Sequence, residues 1–307
     1  MITGLAAGIF WALDTVVLGI ALTMSGFTST EQAVMLAPFI STFVHDTCSA
    51  VWMFLYMGIK KQYKHILRAI RTRSGCFIML GALLGGPVGM SGYVAAIHYI
   101  GPAYTAIISS MYPALGALLS YIFLKEKMSK RQMLGLMVSI VGVIVLSYTP
   151  GSGAGQHFGL GILCACICCI GWASEAVICA YGMKDPAITD EHALQIRQVV
   201  SSLLYGGVIL PVLQGWEIMS TLSASGELLI IALAALAGTV SYVCYYKAIV
   251  HMGPTKAMAL NITYAAWSVV FSMLFLKTLP NTISIIAGIG ILLGSLTAAQ
   301  NQRSGSV

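Results

Sequence analysis

The sequence predicts an all-α integral membrane protein of ten transmembrane helices, arranged as two inverted five-helix repeats with both termini cytoplasmic. Three observations predict it. Of the 307 residues, 58% are apolar and 8% charged, with a mean hydropathy of +0.88. A soluble domain carries roughly a quarter charged residues, so a water-soluble globular fold is excluded. Apolar runs of about twenty residues recur down the whole chain, the length that crosses roughly 30 Å of hydrocarbon as a helix. Finally, the chain matches itself at an offset of 152 positions.

The first run, 3–24, has no basic leader and carries Asp14 at its middle, so it reads as a mature transmembrane helix and not as a signal peptide. The second, 33–58, contains His45 and Asp46 and is followed by six of the sixteen basic residues, Lys60, Lys61, Lys64, Arg68, Arg71 and Arg73. The third, 76–98, holds the glycine-rich stretch from Gly81 to Met90, and the fourth, 102–124, opens after Gly101-Pro102 and ends at Lys125, Lys127, Lys130 and Arg131. The fifth, 131–148, closes a first repeat over 1–149. The second repeat, 158–299, comprises 158–181, 192–213, 227–249, 255–276 and 282–299, and 300–307 form a cytoplasmic tail. These runs are continuously apolar and do not alternate, which excludes a membrane β-barrel.

Basic residues gather in cytoplasmic loops. The two basic loops therefore lie inside, and the outer loops at 25–32, 149–157 and 214–226 contain no Lys or Arg. The net charge of +6 is thus an expression of topology, and nucleic acid is not expected as a partner. Cys164, Cys166, Cys168 and Cys169 point to several faces of one helix, so they read as packing residues and neither as a metal site nor as disulfides. No cofactor is expected.

At the 152 offset Gly101-Pro102 pairs with Gly253-Pro254, Tyr93 with Tyr245, Tyr112 with Tyr264, Phe123-Leu124-Lys125 with Phe275-Leu276-Lys277, and Gly142 with Gly294. Trp11-Ala12-Leu13-Asp14 pairs with Trp172-Ala173-Ser174-Glu175 at an offset of 161. Five is odd, so the second half sits upside down relative to the first, the inverted-repeat design of secondary transporters, with substrate held near the midplane. Glycines at GxxxG spacing, Gly4/Gly8 and Gly290/Gly294, suit close helix approach but do so in any tightly packed membrane protein.

A charge inside the membrane costs roughly 2.5–3.5 kcal/mol even on the generous insertion scale and so points to function. Asp14, His45, Asp46, Glu175 and Arg197 qualify, and Lys247 lies near a helix end where it snorkels. Arg197 is expected to pair with a buried acid such as Asp46. Trp11 and Asp14 are three apart, as are Trp172 and Glu175, so each ring shares a helix face with its acid. Tyr242, Tyr245 and Tyr246 form one stripe, and Asn261, Tyr264 and Ser268 another, beside Trp267. If these faces converge they make an aromatic box with carboxylates, which attracts a cation and above all a quaternary ammonium. Plain packing is the rival explanation, evenly balanced for Tyr246 and Trp267. Trp52, Trp216 and Tyr148, near helix ends, read as interfacial anchors. Because Tyr242, Tyr246 and Trp267 stand where the first half has Met90, Val94 and Leu115, a ligand is expected to lean on the second half. Enzyme motifs are missing: no HExxH, GxSxG, Walker loop or dinucleotide fingerprint occurs.

Ten helices in two fives, a Trp near the start of each half and Gly-Pro before the fourth and ninth helices resemble the EamA-type members of the drug/metabolite transporter superfamily. Gly8–Trp11, Gly81–Met90, Gly161–Glu175, Arg197–Val199, Ser241–Tyr246 and Asn261–Trp267 further resemble the LicB-type choline transporters of bacteria. The resemblance spans nearly the whole chain. It implies uptake of choline through an aromatic pocket between the halves, coupled to an ion gradient, with protons the expected ion. The pocket it implies uses Trp11, Trp172, Glu175, Tyr242, Tyr245 and Tyr264 with Asn261 beside them, Glu175 supplying the counter-charge or carrying the proton. Asp14, Asp46, His45 and Arg197 are secondary candidates for coupling, and Asp14 departs from the small residue that the choline transporters have there. An exporter of amino acids, metabolites or drugs on the same fold is the alternative.

Overall fold

The structure is a computed structural model that describes residues 1–147, 158–222, 226–277 and 282–300. Among the described residues every regular element is helical, and each of the ten apolar runs forms helix. Seven helical stretches are long and apolar enough to cross a membrane: Ile2–Leu22, Glu31–Ile59, Arg73–Ala96, Phe158–Gly182, Asp190–Val212, Gly226–Met252 and Pro254–Leu276. The chain is a multi-pass protein of the cell membrane. The expected outer loop at 149–157 and all of the tail but residue 300 lie outside the described residues.

Helix α1 (Ile2–Leu22) is followed by the short α2 (Ser25–Thr28) and by α3 (Glu31–Ile59), whose first turn is capped by the Thr30 hydroxyl accepting from the Ala33 N–H. Pro38 sits inside α3, and the Ser41 and Thr42 hydroxyls donate to its carbonyl. The basic loop contains a helix of its own, α4 (Tyr63–Ile70). Helix α5 (Arg73–Leu83) runs into a widened π-helical turn, Leu84–Met90, and on into α6 (Ser91–Ser109). The path reverses within α6: Ile100 packs at Gly161, whereas the Ile108 carbonyl accepts from the Cys169 thiol eight residues further along the facing helix. Then come α7 (Tyr112–Leu119), with a widened turn at Ser120–Leu124, and α8 (Lys130–Ser147).

The second half consists of α9 (Phe158–Gly182), α10 (Asp190–Leu204), α11 (Leu210–Val212), α12 (Gly215–Leu222), α13 (Gly226–Met252), α14 (Pro254–Asn261), α15 (Tyr264–Leu276) and α16 (Thr282–Ala299). Gly253 takes φ +84°, a left-handed conformation in which only glycine is unstrained, and Pro254 then starts α14. Two helix breaks fall 152 residues apart, at Ser110-Met111 before Tyr112 and at Ile262-Thr263 before Tyr264. Pro113 cannot continue an interior helix, and the Thr263 hydroxyl turns back onto the Leu260 carbonyl at 2.7 Å. Lys125 and Lys277, again 152 apart, each end their helix in the left-handed region.

Three antiparallel pairs organise the packing. Along α1 and α13, Ala7 accepts from the Ser241 hydroxyl and Asp14 lies against Gly238. Along α5–α6 and α9, Gly81 faces Cys179 and Gly92 faces Cys164. Along α8 and α16, Gly142 lies on the Ala287 carbonyl and Gly294 on the Gly135 carbonyl, while the Ser139 hydroxyl donates to Ile291 at 3.1 Å. Without Cβ atoms at these positions the backbones approach closely, which is how helices associate where lipid offers no hydrophobic drive. Gly290, by contrast, faces open space. Outward, α8 and α16 present Leu134, Val141, Ile286 and Leu293, a band suited to lipid tails.

Candidate functional site

The widened turn Leu84–Met90 seats the first two site residues. A Cβ on Gly85 would occupy the place of the Glu175 carboxylate, and one on Gly89 would stand 3.0 Å from the Trp172 ring. These two glycines therefore let α9 approach with a long acid and an indole facing the interior. Trp172 meets Tyr93 at a centroid distance of 5.2 Å and Tyr112 edge-on at 5.8 Å. Trp11, on α1, meets Tyr242 edge-on at 5.2 Å.

Trp11, Trp172, Glu175, Tyr242, Tyr245, Asn261 and Tyr264, the seven residues expected to bind substrate, line one cavity together with Met90, Tyr112, Ala176 and Ser241. The cavity measures about 60 Å³, several times the roughly 10–15 Å³ needed by one water molecule on this measure. Asn261 comes from the end of α14, just before its break, and donates to the Tyr112 hydroxyl at 3.2 Å.

The buried charges form one chain. Arg197, 2% exposed, donates from Nε to Glu175 Oε1 at 3.0 Å, from Nη1 to Asp46 Oδ2 at 3.3 Å and to Gln198 Oε1 at 2.6 Å, and from Nη2 to the Tyr242 hydroxyl at 2.9 Å. Its guanidinium carbon also lies 4.5 Å from the Tyr242 ring centroid. Glu175 Oε1 accepts a second bond, from the Tyr246 hydroxyl at 3.1 Å, and Asp46 Oδ2 one from Ser201 at 2.6 Å. His45 bridges the other two acids, with Nε2 3.2 Å from Asp14 Oδ1 and Nδ1 3.2 Å from Asp46 Oδ1. Three carboxylates thus share one permanent cation and one imidazole. Acidic groups outnumber basic ones, three to two, in a region where charge is costly.

A second cavity, of about 150 Å³, carries Asp14, His45, Asp46 and Arg197 and shares Trp11, Met90, Trp172, Tyr242 and Tyr264 with the first. The shared aromatic residues thus lie between two compartments: the first reaches the charge chain at Glu175, and the second at Asp14, His45, Asp46 and Arg197. Tyr246 is buried behind Glu175 and lines neither cavity, nor does Trp267, whose indole N–H is buried without a partner. Lys247 is exposed on α13. Ser268 turns its hydroxyl back onto the Tyr264 carbonyl.

Sequence reasoning missed Met90, Tyr93 and Tyr112. The signal was available, because Tyr93 and Tyr112 stand 152 residues before Tyr245 and Tyr264. The first half supplies Trp11, Tyr93 and Tyr112 to the two cavities, and the second supplies Trp172, Tyr242, Tyr245 and Tyr264. The first cavity does lean on the second half, which gives it Trp172, Tyr242, Tyr245 and Tyr264 against Trp11 and Tyr112 of the first, although of the three residues on which that expectation rested only Tyr242 lines a cavity.

A model of the EamA-like transporter family matches residues 1–148 and again 159–299. Protein LicB of Haemophilus influenzae is 32% identical over 294 residues, covering 93% of this chain and 94% of that protein. An uncharacterized transporter of Bacillus subtilis, YyaM, is 28% identical over 149 residues, 44% of this chain and 46% of that one. A solved crystal structure with 15% sequence identity covers 97% of this chain and 96% of its own with a TM-score of 0.74, which shows a shared fold.

Proposed function

The chain belongs to the EamA-like transporter family, and from that premise we propose that it imports choline or a similar quaternary ammonium cation by alternating access of two inverted five-helix halves, both termini lying in the cytoplasm. The observation that carries this reading is the cavity walled by Trp11, Tyr112, Trp172, Tyr242, Tyr245 and Tyr264, with Glu175 as its carboxylate. Methyl groups on nitrogen cannot donate strong hydrogen bonds, and ring faces supply the compensation, each contributing about 0.5–2 kcal/mol once water is excluded. The excess of acidic over basic groups beside the box favours a cation over a neutral solute. A zwitterion would need a partner for its carboxylate, and Arg197 is already engaged by Glu175 and Asp46.

The antiparallel helix pairs and the two helix breaks 152 residues apart support the inverted arrangement. Broken helices at the midplane are where transporters of inverted design hold their substrates, and here the breaks deliver Tyr112 and Tyr264 to the cavity. Glu175, held by Arg197, serves as the fixed counter-charge. An inside-negative potential of about 100 mV is worth roughly 2.3 kcal/mol per cation, or about fiftyfold accumulation, before any coupled proton is counted.

Labelled choline uptake into proteoliposomes, with an imposed inside-negative potential and with or without a proton gradient, tests the reading. Uptake is expected for the wild type and not for Trp172→Ala. Sensitivity to the proton gradient is expected as well. Absence of uptake by folded protein would return the question to amino-acid, metabolite and drug export.

A further inference from the structure

His45 poses a problem of proton counting. Both its ring nitrogens face carboxylate oxygens, Asp14 Oδ1 on one side and Asp46 Oδ1 on the other, each at 3.2 Å. A neutral imidazole carries one N–H and one lone pair. It would therefore donate to one acid and turn its lone pair on the other. Both contacts are attractive only when the trio holds one extra proton. Asp46 is the wrong place for it, since its other oxygen already accepts from Arg197 and Ser201. Between Asp14 and the ring, imidazole is the stronger base.

We propose that His45, as an imidazolium clamped between Asp14 and Asp46, is the exchangeable proton site of this protein, and that its proton is linked to occupancy of the neighbouring cation cavity. The linkage rests on the cation-box reading, while the proton site rests on the geometry of the trio alone. Glu175 is the poorer candidate for the role because Arg197, which keeps its proton in the working range, donates to its carboxylate alongside Tyr246. Among the described residues, the charged and titratable groups that face the trio are Arg197 of α10, beyond Asp46, Tyr205, just past the end of α10 and near Asp46, and Tyr242 of α13. Glu175 of α9 reaches it only through Arg197. From α13 the ring is met by Gly238, where a Cβ would stand 2.6 Å from Nε2.

His45, Asp14 and Asp46 all line the second cavity, which is bounded by the same aromatic partition as the box. Loading is simple acid–base chemistry: one proton leaves a hydronium in cavity water and joins the ring's lone pair, and unloading returns it to that water. An imidazolium and an ammonium repel, so cation binding loosens the proton and protonation weakens cation binding by the same factor. Cation affinity therefore rises with pH, and cation arrival and proton loss become one coupled event.

The test uses the full-length protein in lipid nanodiscs with tetramethylammonium as the probe. The ring's protonation is followed by nitrogen NMR of labelled histidine, and affinity by calorimetry from about pH 5 to about pH 9, the range that brackets imidazole titration. His45 is assigned among the six histidines by its loss in His45→Gln or its shift in Asp14→Asn. The expected results are a doubly protonated ring at neutral pH, an affinity gain of at least about fivefold across the range, and loss of that gain in both variants with its retention in Glu175→Gln. A neutral ring at neutral pH overturns the proposal whether or not the probe binds, as does a pH dependence that survives in Asp14→Asn and disappears in Glu175→Gln. A protonated ring in protein that does not bind the probe upholds the proton site and sinks the cation box instead. A ring that ignores a probe that does bind removes the linkage.

Discussion

Trp11-Asp14 and Trp172-Glu175 are the same local pattern placed in different company. Each puts an indole and an acid one turn apart on a helix packed antiparallel to a partner, and each indole walls the same cavity. Glu175 meets Arg197, whereas Asp14 meets His45. A guanidinium stays charged throughout the physiological range, and an imidazole does not. The difference teaches that two related acids can be set apart by partner alone: Glu175 is held by a group that keeps its charge, and Asp14 by one that titrates.

Removing the partners is the strongest way to break this comparison. Arg197→Leu would leave buried Glu175 with no cationic partner and Asp46 with only His45, a loss of about 3–5 kcal/mol. Thermal unfolding in detergent should show a steep fall in stability, with little folded protein recovered. His45→Gln keeps a polar bridge and removes no permanent charge, so its unfolding midpoint should fall much less. Equal losses would mean that both cations are merely structural.

The next largest effect concerns the rings. Trp172→Ala should weaken tetramethylammonium binding about tenfold or more, since a desolvated cation–π contact is worth up to about 2 kcal/mol and the neighbouring Tyr93 and Tyr112 lose their packing partner. Trp11→Ala, which leaves Tyr242 still ordered by Arg197, should cost less. Calorimetry on the two variants gives the ratio, and a larger loss at Trp11 would place the cation on the other side of the partition, near Asp14.

Glu175→Gln tests whether the counter-charge is fixed. A reduction of about fivefold to tenfold in affinity, the same at every pH, is expected for removal of a carboxylate held by a permanently charged guanidinium. A reduction seen only at high pH would show that Glu175 itself takes up a proton and would erase the contrast with Asp14.

How much of this was legible in the sequence follows from the range of the interactions. Apolar runs, Trp-x-x-acid spacing and the 152 offset are patterns within one helix or between two copies of one pattern, so they are visible in the chain. Seven residues expected around a single pocket do lie around one. The Arg197–Asp46 pair was expected and is present, but the pairs of His45 with Asp14 and of Arg197 with Glu175 were not visible, because they join different helices, 31 and 22 residues apart. Nor was the widened turn at Leu84–Met90. Its glycines and Pro87 read equally well as ordinary close packing, and only the approach of Glu175 to Gly85 gives them a task. Tyr112 lay between these cases, since its pairing with Tyr264 was plain but its own half looked poorer in aromatic residues.

Tyr112→Phe is the smallest and sharpest probe of that residue. The ring remains, with its edge contact to Trp172, so the aromatic wall is kept. What is lost is the hydroxyl that accepts from Asn261, and an amide donor left without its partner costs about 1–3 kcal/mol only if it is also kept from water. Asn261 borders the cavity, where water can replace the hydroxyl when no ligand is bound. The expected outcome is therefore an almost unchanged unfolding midpoint and a loss of affinity for tetramethylammonium of no more than about threefold. Choline, whose own hydroxyl can take the freed amide donor, should lose less than tetramethylammonium. Measured side by side, a greater loss for choline would instead place its hydroxyl against Tyr112, and the second wall of the box would then read the alcohol while the first reads the charge.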